Sequence, residues 1–125
     1  MKFMAINLNH TIVPAHDKDL SARFFAEIFG LPYAGVEGHF APVHVNETLT
    51  FDFDNADTFE RHHYAFHVSD QEFDEIFQRV KAAGLAYGSD PWHLDDKQLN
   101  HWHDGRGVYF RDPNGHLLEL MTRAL

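Results

Sequence analysis

The chain contains no cysteine, so it forms no disulfide bonds, and any metal it binds must take nitrogen and oxygen ligands. Basic residues are few as well, since 10 Lys and Arg stand against 19 Asp and Glu, and the formal net charge is -9. This charge argues against nucleic acid or an anionic membrane as the main partner. The sequence lacks both an apolar run approaching the roughly 18 residues of a spanning helix and an N-terminal signal-peptide pattern. We therefore expect a cytoplasmic protein.

Apolar and aromatic residues, in contrast, are abundant. Hydrophobic residues make up 44% of the 125 positions and aromatic residues 14%, with 12 Phe among them. This composition excludes a disordered chain and suits one compact domain with an aromatic core. Eleven His exceed what a core needs, so some of them could bind metal or transfer protons while others are solvated.

Two segments of the chain repeat one pattern. His10 and His63 are each followed seven residues later by Asp, at Asp17 and Asp70, and further on by a Gly-Leu pair. Between these points, Leu20 and Phe73 follow their His by ten residues, and Phe24 and Phe77 follow by fourteen. This repetition indicates a duplicated supersecondary unit. We predict a single domain over 1–125, with module 1 at about 1–55 and module 2 at about 60–125. Each module would run strand, helix, then three strands.

Helical spacing and capping residues place the two helices. Ser69 with Glu72 three residues later forms a capping-box pattern, and Gly84 ends the helix that follows. Gly30 ends the equivalent helix of the first module. The predicted apolar faces consist of Leu20, Phe24, Phe25 and Ile28 in the first helix and Phe73, Ile76, Phe77 and Val80 in the second.

Alternation along the predicted strands decides which side chains face a common surface. In the predicted strand His116–Met121, Leu118 and Leu120 would pack against the helices, so Glu119 would point the other way. A glutamate buried there without a partner would be costly, and a metal or another cation would explain it. The same alternation allows Asp52 and His63 to face this surface.

Three residues on three predicted strands, His10, His63 and Glu119, form the central functional hypothesis. Two neutral imidazoles and one carboxylate can hold a divalent metal on one face and leave the other face open. Such a metal can act as a Lewis acid or support oxygen chemistry. For each residue alone, the alternative is an ordinary hydrogen-bonded or solvated side chain. His67 could line the same surface or simply follow His63 by alternation.

A long segment rich in His, Trp and Asp, residues 88–107, precedes the last two strands. Loops of this length in a compact domain are usually functional or mobile. A guanidinium can pair with a carboxylate, imidazoles exchange protons near neutral pH, and indoles can wall a flat ligand. The alternative is a surface loop whose Trp covers the open side of the sheet. The candidates in this segment are His101 and His103 for catalysis and Trp92, Trp102 and Arg106 for substrate binding. Tyr109, on the strand that follows, is either a further catalytic candidate that faces the pocket or a core residue.

Three motifs resemble the vicinal oxygen chelate superfamily, which includes glyoxalases, bleomycin-resistance proteins and extradiol dioxygenases. They are Leu8-Asn9-His10-Thr11, the run His63-Tyr64-Ala65-Phe66-His67-Val68-Ser69-Asp70, and the segment 108–119 that ends in Gly115-His116-Leu117-Leu118-Glu119. The resemblance covers nearly the whole chain. It implies an α+β fold in which two βαβββ modules form an open, curled mixed sheet around a metal.

The resemblance also implies a ligand set. It selects His63 over its neighbouring histidines and gives His10, His63 and Glu119 as ligands, with Asp52 near a fourth position or in contact with substrate. The implied cofactor is a divalent metal, Fe(II), Mn(II), Zn(II) or Ni(II). The implied assembly is a homodimer whose site is shared between modules and binds a small-molecule substrate.

Several activities are compatible with this resemblance. The first is a metal-dependent enzyme that binds vicinal oxygens of a small substrate, dioxygenase-like or glyoxalase/lyase-like. The alternatives are a fosfomycin-type thiol transferase, a metal-free dimeric protein that sequesters an antibiotic, and a regulatory dimer with a vestigial pocket. Lys97 is the only lysine in the segment 88–107, which disfavours a phosphonate substrate.

Overall fold

Residues 5–124 are described by a computed structural model, and they divide into two units between Phe59 and Glu60. Each unit combines one α-helix of 12 or 13 residues with a mixed, open sheet. The predicted α+β fold class is thereby confirmed. That the whole chain forms one domain stays a prediction. No helix formed by the described residues is long and apolar enough to cross a lipid bilayer.

Within residues 5–59, the first unit contains three strands and one helix. Their bounds are β1 His10–Ala15, α1 Lys18–Phe29, β2 Ala41–His44 and β3 Thr50–Asn55. The strand order is β1-β3-β2, with β1 parallel and β2 antiparallel to β3. Alternation works as expected in β3, because Phe51 and Phe53 are buried and both lie within about 6 Å of the Phe25 ring of α1.

Local signals explain where α1 begins and ends. The Asp17 side chain accepts the backbone N–H of Leu20, and Gly30 adopts the left-handed conformation that ends a helix. The buried face differs from the prediction at Leu20, whose side chain is 53% exposed. Small residues occupy the contact with the sheet instead. The buried residues of α1 are Ser21, Ala22, Phe25, Ala26 and Ile28.

The first unit has one strand fewer than the predicted module within its described residues. Between α1 and β2, residues 31–40 form only an isolated bridge between Glu37 and Phe40. Pro32 lacks a backbone N–H, and Gly35 and Gly38 both have positive φ angles. These features interrupt the extended backbone that a sheet ladder requires.

The second unit contains one helix and four strands. Their bounds are β4 His63–His67, α2 Asp70–Ala82, β5 Tyr87–Gly88, β6 Gly107–Arg111 and β7 Leu117–Met121, and a short 3₁₀ turn lies at Trp102–Asp104. The strand order is β4-β7-β6-β5. The capping box between Ser69 and Glu72 is present as predicted, and Gly84 follows α2 with a positive φ angle.

Register in this sheet determines what faces the site. Strand β7 lies between β4, to which it is parallel, and β6, to which it is antiparallel. Leu118 and Leu120 are buried, as are Val108 and Phe110 on β6. Since side chains alternate along a strand, Glu119 points to the opposite face from the two leucines.

Candidate functional site

Three neighbouring strands place their site residues in one row. Glu119 on β7 is aligned with Ala65 on β4 and with Tyr109 on β6. His63 lies two residues before Ala65 on β4 and therefore shares its face. This row brings His63, Tyr109 and Glu119 together on the face opposite the buried leucines.

His63 and Glu119 form the central contact. The Nε2 atom of His63 lies 2.9 Å from Oε1 of Glu119, and the Glu119 side chain is only 10% exposed, whereas that of His63 is 48% exposed. A buried carboxylate needs hydrogen bonds or a cation to offset its lost hydration. Among the described residues, this role falls to His63 rather than to Lys or Arg.

Tyr109 is the second partner of Glu119. Its side chain is 4% exposed, and its hydroxyl donates a hydrogen bond to the carboxylate. Burial raises the pKa of the Tyr109 phenol well above its usual value, and the adjacent Glu119 raises it further. The phenol therefore stays protonated near neutral pH and acts as a donor that holds Glu119 in place.

A pocket of about 300 Å³ opens above this row. One wall is aromatic, because the Trp102 ring meets the Tyr109 ring edge-on at 6.0 Å between centroids, and the His63 ring lies 5.9 Å from the same tyrosine. The cavity is large enough for a small ligand. Its lining residues are His63, Ala65, Asn100, Trp102, His103, Arg106, Tyr109, Glu119, Met121 and Arg123.

Arg106 lines the pocket, but its guanidinium forms ion pairs with two carboxylates of helix α2. Its guanidinium contacts Asp74 at 2.7 Å and Asp70 at 3.0 Å and lies 4.5 Å above the centre of the Phe73 ring. The hydrogen bond that Arg106 donates to Asp74 contributes most to raising the pKa of Arg106. Two carboxylates neutralise this cation, so its visible role is to hold the end of the long loop against α2.

Asn100 fixes the other part of the same loop. It is 8% exposed, its Nδ2 donates to the Ser89 carbonyl, and its Oδ1 accepts the Trp102 backbone N–H at 3.3 Å. The backbone of Gly107 packs directly against its amide. Sequence reasoning assigned Asn100 no role, although the glycine at the start of β6 could have signalled such a close approach.

Met121 and Arg123 are further lining residues that the sequence reasoning missed. Both lie at even spacing after Glu119, so the alternation that placed Glu119 could also have indicated them.

Not all of the predicted site residues line this pocket. Trp92 is 85% exposed on a turn in which Asp90 accepts its backbone N–H, and it lies outside the lining. His101 is exposed and also lies outside it. His67 points its Nε2 at the Thr122 carbonyl, 3.2 Å away. Those that do line it are His63, Trp102, His103, Arg106, Tyr109 and Glu119.

The remaining two predicted residues, His10 and Asp52, belong to the first unit. They line a separate open pocket of about 370 Å³. The Nδ1 atom of His10 lies 2.8 Å from Oδ1 of Asn9, an arrangement that leaves Nε2 available. A ligating histidine usually donates its other ring N–H in this way. The other lining residues are Asn9, Glu37, Phe40, Pro42, His44 and Thr50.

The donor set of the second unit fits part of a metal centre. Two ligand atoms about 2.1 Å from a metal and at right angles to each other are about 3.0 Å apart. The separation of His63 Nε2 and Glu119 Oε1, 2.9 Å, agrees with this value. Across residues 5–124, however, no three His, Asp or Glu side chains are grouped so that they could hold a metal. Two of the three predicted ligands, His63 and Glu119, therefore lie together in the described site.

Comparisons with known proteins agree with this fold. The chain is similar to the oxidase ChaP-H2, with 48% identity, a TM-score of 0.91 and coverage of 97% of this chain and 96% of that one. It is 26% identical to the fosfomycin resistance protein FosX of Listeria monocytogenes, solved with Mn(II), at a TM-score of 0.71 and coverage of 98% and 94%. It is also 25% identical to the metallothiol transferase FosB of Lysinibacillus sphaericus (strain C3-41), over 95% of this chain and 84% of that protein.

The family resemblance seen in the sequence motifs is confirmed. The model of the Glyoxalase/Bleomycin resistance protein/Dioxygenase superfamily matches residues 7–120. This match spans both units and includes the segments that carry His10, His63 and Glu119. The chain belongs to the Glyoxalase/Bleomycin resistance protein/Dioxygenase superfamily.

Proposed function

We propose that this protein is a divalent-metal-dependent enzyme that carries out oxygen chemistry on a small substrate bound through vicinal oxygens. The metal would be held by His63 and Glu119 from the second unit and by His10 from the first. The observation that carries the proposal is the 2.9 Å approach of His63 Nε2 to the buried Glu119 carboxylate in the wall of a pocket.

The other residues of the pocket have separate proposed roles in holding the ligands and the substrate. Tyr109 holds Glu119 through a hydrogen bond, and Trp102 forms an aromatic wall beside it. His103 lines the same cavity and is the candidate for proton transfer to or from substrate. A divalent metal held there would polarise substrate oxygens as a Lewis acid, and a redox-active one such as Fe(II) or Mn(II) would also supply electron transfer to dioxygen.

Similarity favours oxygen chemistry over thiol transfer. The chain is 48% identical to the oxidase ChaP-H2 and 46% identical to the oxidase ChaP-H1. Its identity to the glutathione transferase FosA of Serratia marcescens is 27%. Thiol transfer stays the second candidate, because three matching relatives carry transferase names.

Metal content is the first test. Elemental analysis of the purified protein should find close to one divalent metal per chain. His63→Ala and Glu119→Gln should each abolish stoichiometric binding. His67→Ala is the matched control, because His67 lies on the same strand but outside the pocket lining, and it should keep the metal. Wild-type protein without metal, or unchanged metal uptake by His63→Ala, would refute the proposal.

Reaction type is tested separately on the metal-loaded protein. The wild type should consume dioxygen in the presence of a catechol faster than the Glu119→Gln variant does. With fosfomycin and glutathione, the wild type and the variant should consume glutathione at the same rate. The opposite pair of results would establish the thiol-transferase alternative. Tight binding of a drug without metal would instead favour the sequestering alternative, which a pairing of Glu119 with Arg or Lys would also support. Glu119 is paired with His63.

The homodimer with a shared site is also a proposal. If His10 of one protomer meets His63 and Glu119 of its partner, then His10→Ala and His63→Ala chains should complement each other. A mixed dimer would contain one site with both substitutions and one intact site. Mixing the two variants after partial unfolding should restore about a quarter of the metal binding of the wild type, given random pairing and one intact site in half of the dimers. Restoration should be absent if each site is built within one chain.

A further inference from the structure

The pocket of the second unit contains two arginines in different electrostatic states. Arg106 is bonded to both Asp70 and Asp74, so its charge is already balanced. Arg123 lines the same pocket and forms no ion pair with any of residues 5–124. The protein's net charge is -9, so this unpaired positive charge beside the pocket is opposite in sign to the charge of the protein as a whole.

Backbone packing holds the Arg123 side chain at this position. Gly105, in the loop that forms one pocket wall, approaches the aliphatic stem so closely that a methyl group added to it would lie 2.6 Å from Cγ of Arg123. Long cationic side chains commonly pack their stems on protein surface while the charged end stays solvated. The aliphatic stem of Arg123 therefore packs against the loop, and its guanidinium is available to a ligand.

We infer that Arg123 is an anion-binding subsite of this pocket, and that the substrate is a planar aromatic molecule bearing a carboxylate. This inference rests on the proposed function, because it adds a recognition group to the same pocket. The aromatic wall formed by Trp102 and Tyr109 accounts for the flat ring. The planar guanidinium of Arg123 matches the two oxygens of a carboxylate. The substrate-binding role of Arg106 stays a prediction, and we assign the carboxylate to Arg123 because Asp70 and Asp74 already balance the charge of Arg106.

The test compares an acidic and a neutral probe of otherwise equal shape. Binding of 3,4-dihydroxybenzoate and of its methyl ester to the full-length, metal-loaded protein is measured by titration calorimetry at neutral pH. The acid should bind about fivefold more tightly than the ester, the upper end for a solvent-exposed ion pair. Arg123→Gln should remove this preference, measured as the ratio of the two dissociation constants, and Arg123→Lys should retain part of it. Added salt should weaken the preference in the wild type.

Lys97→Gln is the matched control, because it removes one positive charge from the same long loop outside the pocket lining. It should keep the full preference. The inference is overturned if Arg123→Gln keeps the preference, if Lys97→Gln loses it equally, or if the wild type binds neither probe or both alike. A phosphonate that competes better than the acid would assign the subsite to a different anion and would also overturn the substrate class.

Failure of the proposed function would look different. The ester contacts no anion subsite, so its binding should depend on the metal and should be lost after chelation or in Glu119→Gln. If the ester binds equally well with and without the metal, while Arg123→Gln still removes the preference for the acid, then the metal-dependent function is wrong. The anion-binding subsite at Arg123 would still be supported.

Discussion

Replacing Tyr109 by Phe removes only the hydroxyl group that contacts Glu119 in the proposed metal centre. The Tyr109 hydroxyl donates a hydrogen bond to Glu119, and both residues are buried. The substitution keeps the ring and its contacts with Trp102 and His63. Water has little access to this position, so the carboxylate loses a donor that solvent cannot readily replace.

The size of the effect follows from the partners that remain. A hydrogen bond to a charged group contributes about 1.5–3 kcal/mol, and losing a residue that orients a metal ligand weakens metal binding by about 10–100-fold. Glu119 still has His63 at 2.9 Å in the variant, which places the loss at the lower end. We therefore expect Tyr109→Phe to weaken metal binding about tenfold, equivalent to about 1.4 kcal/mol.

Competition with a fluorescent chelator for Mn(II) or Zn(II) measures this change directly. Tyr64→Phe is the matched control, because its hydroxyl bonds to His62 in the same unit, away from Glu119. It should alter the dissociation constant by less than about twofold. Equal metal affinity in Tyr109→Phe and wild type, or an equal loss in Tyr64→Phe, would contradict the role assigned to Tyr109.

Three further substitutions test the scaffold. Ser69→Ala removes the cap of α2 and should lower the free energy of unfolding in urea by about 1 kcal/mol, whereas Ser69→Thr should keep most of it. Gly107→Ala places a methyl group 2.5 Å from the Asn100 side chain and should cost about 1–3 kcal/mol, with a less-than-additive loss in the double variant with Asn100→Ala. Burial, followed by a hydrogen bond to Asp19, raises the pKa of Tyr33 to about 12. Because the folded state favours the neutral phenol, its stabilisation is complete below pH 10 and is lost as the pH rises through about 12. The free energy of unfolding measured in urea should therefore fall less between about pH 10 and 12 in Tyr33→Phe than in the wild type.

Local patterns in the sequence determined much of this protein. The repeat of His10 and His63 indicated the duplicated unit, and Ser69 with Glu72 located the start of α2, because a capping box depends only on residues within one turn. Alternation along β7 put Glu119 opposite its leucine neighbours, since side-chain direction in a strand has a period of two.

Contacts between distant parts of the chain decided the rest. The sequence predicted a substrate-binding role for Arg106 but did not indicate its ion pair with Asp74, 32 positions earlier in the chain. Arg123 and Asn100 acquired their positions only through packing against Gly105 and Gly107. A charged side chain pairs with whichever opposite charge the fold brings near, and sequence separation carries no information about that. The sequence alone thus determined which residue types could form the site, and the tertiary structure decided which of their charges stay available to a ligand.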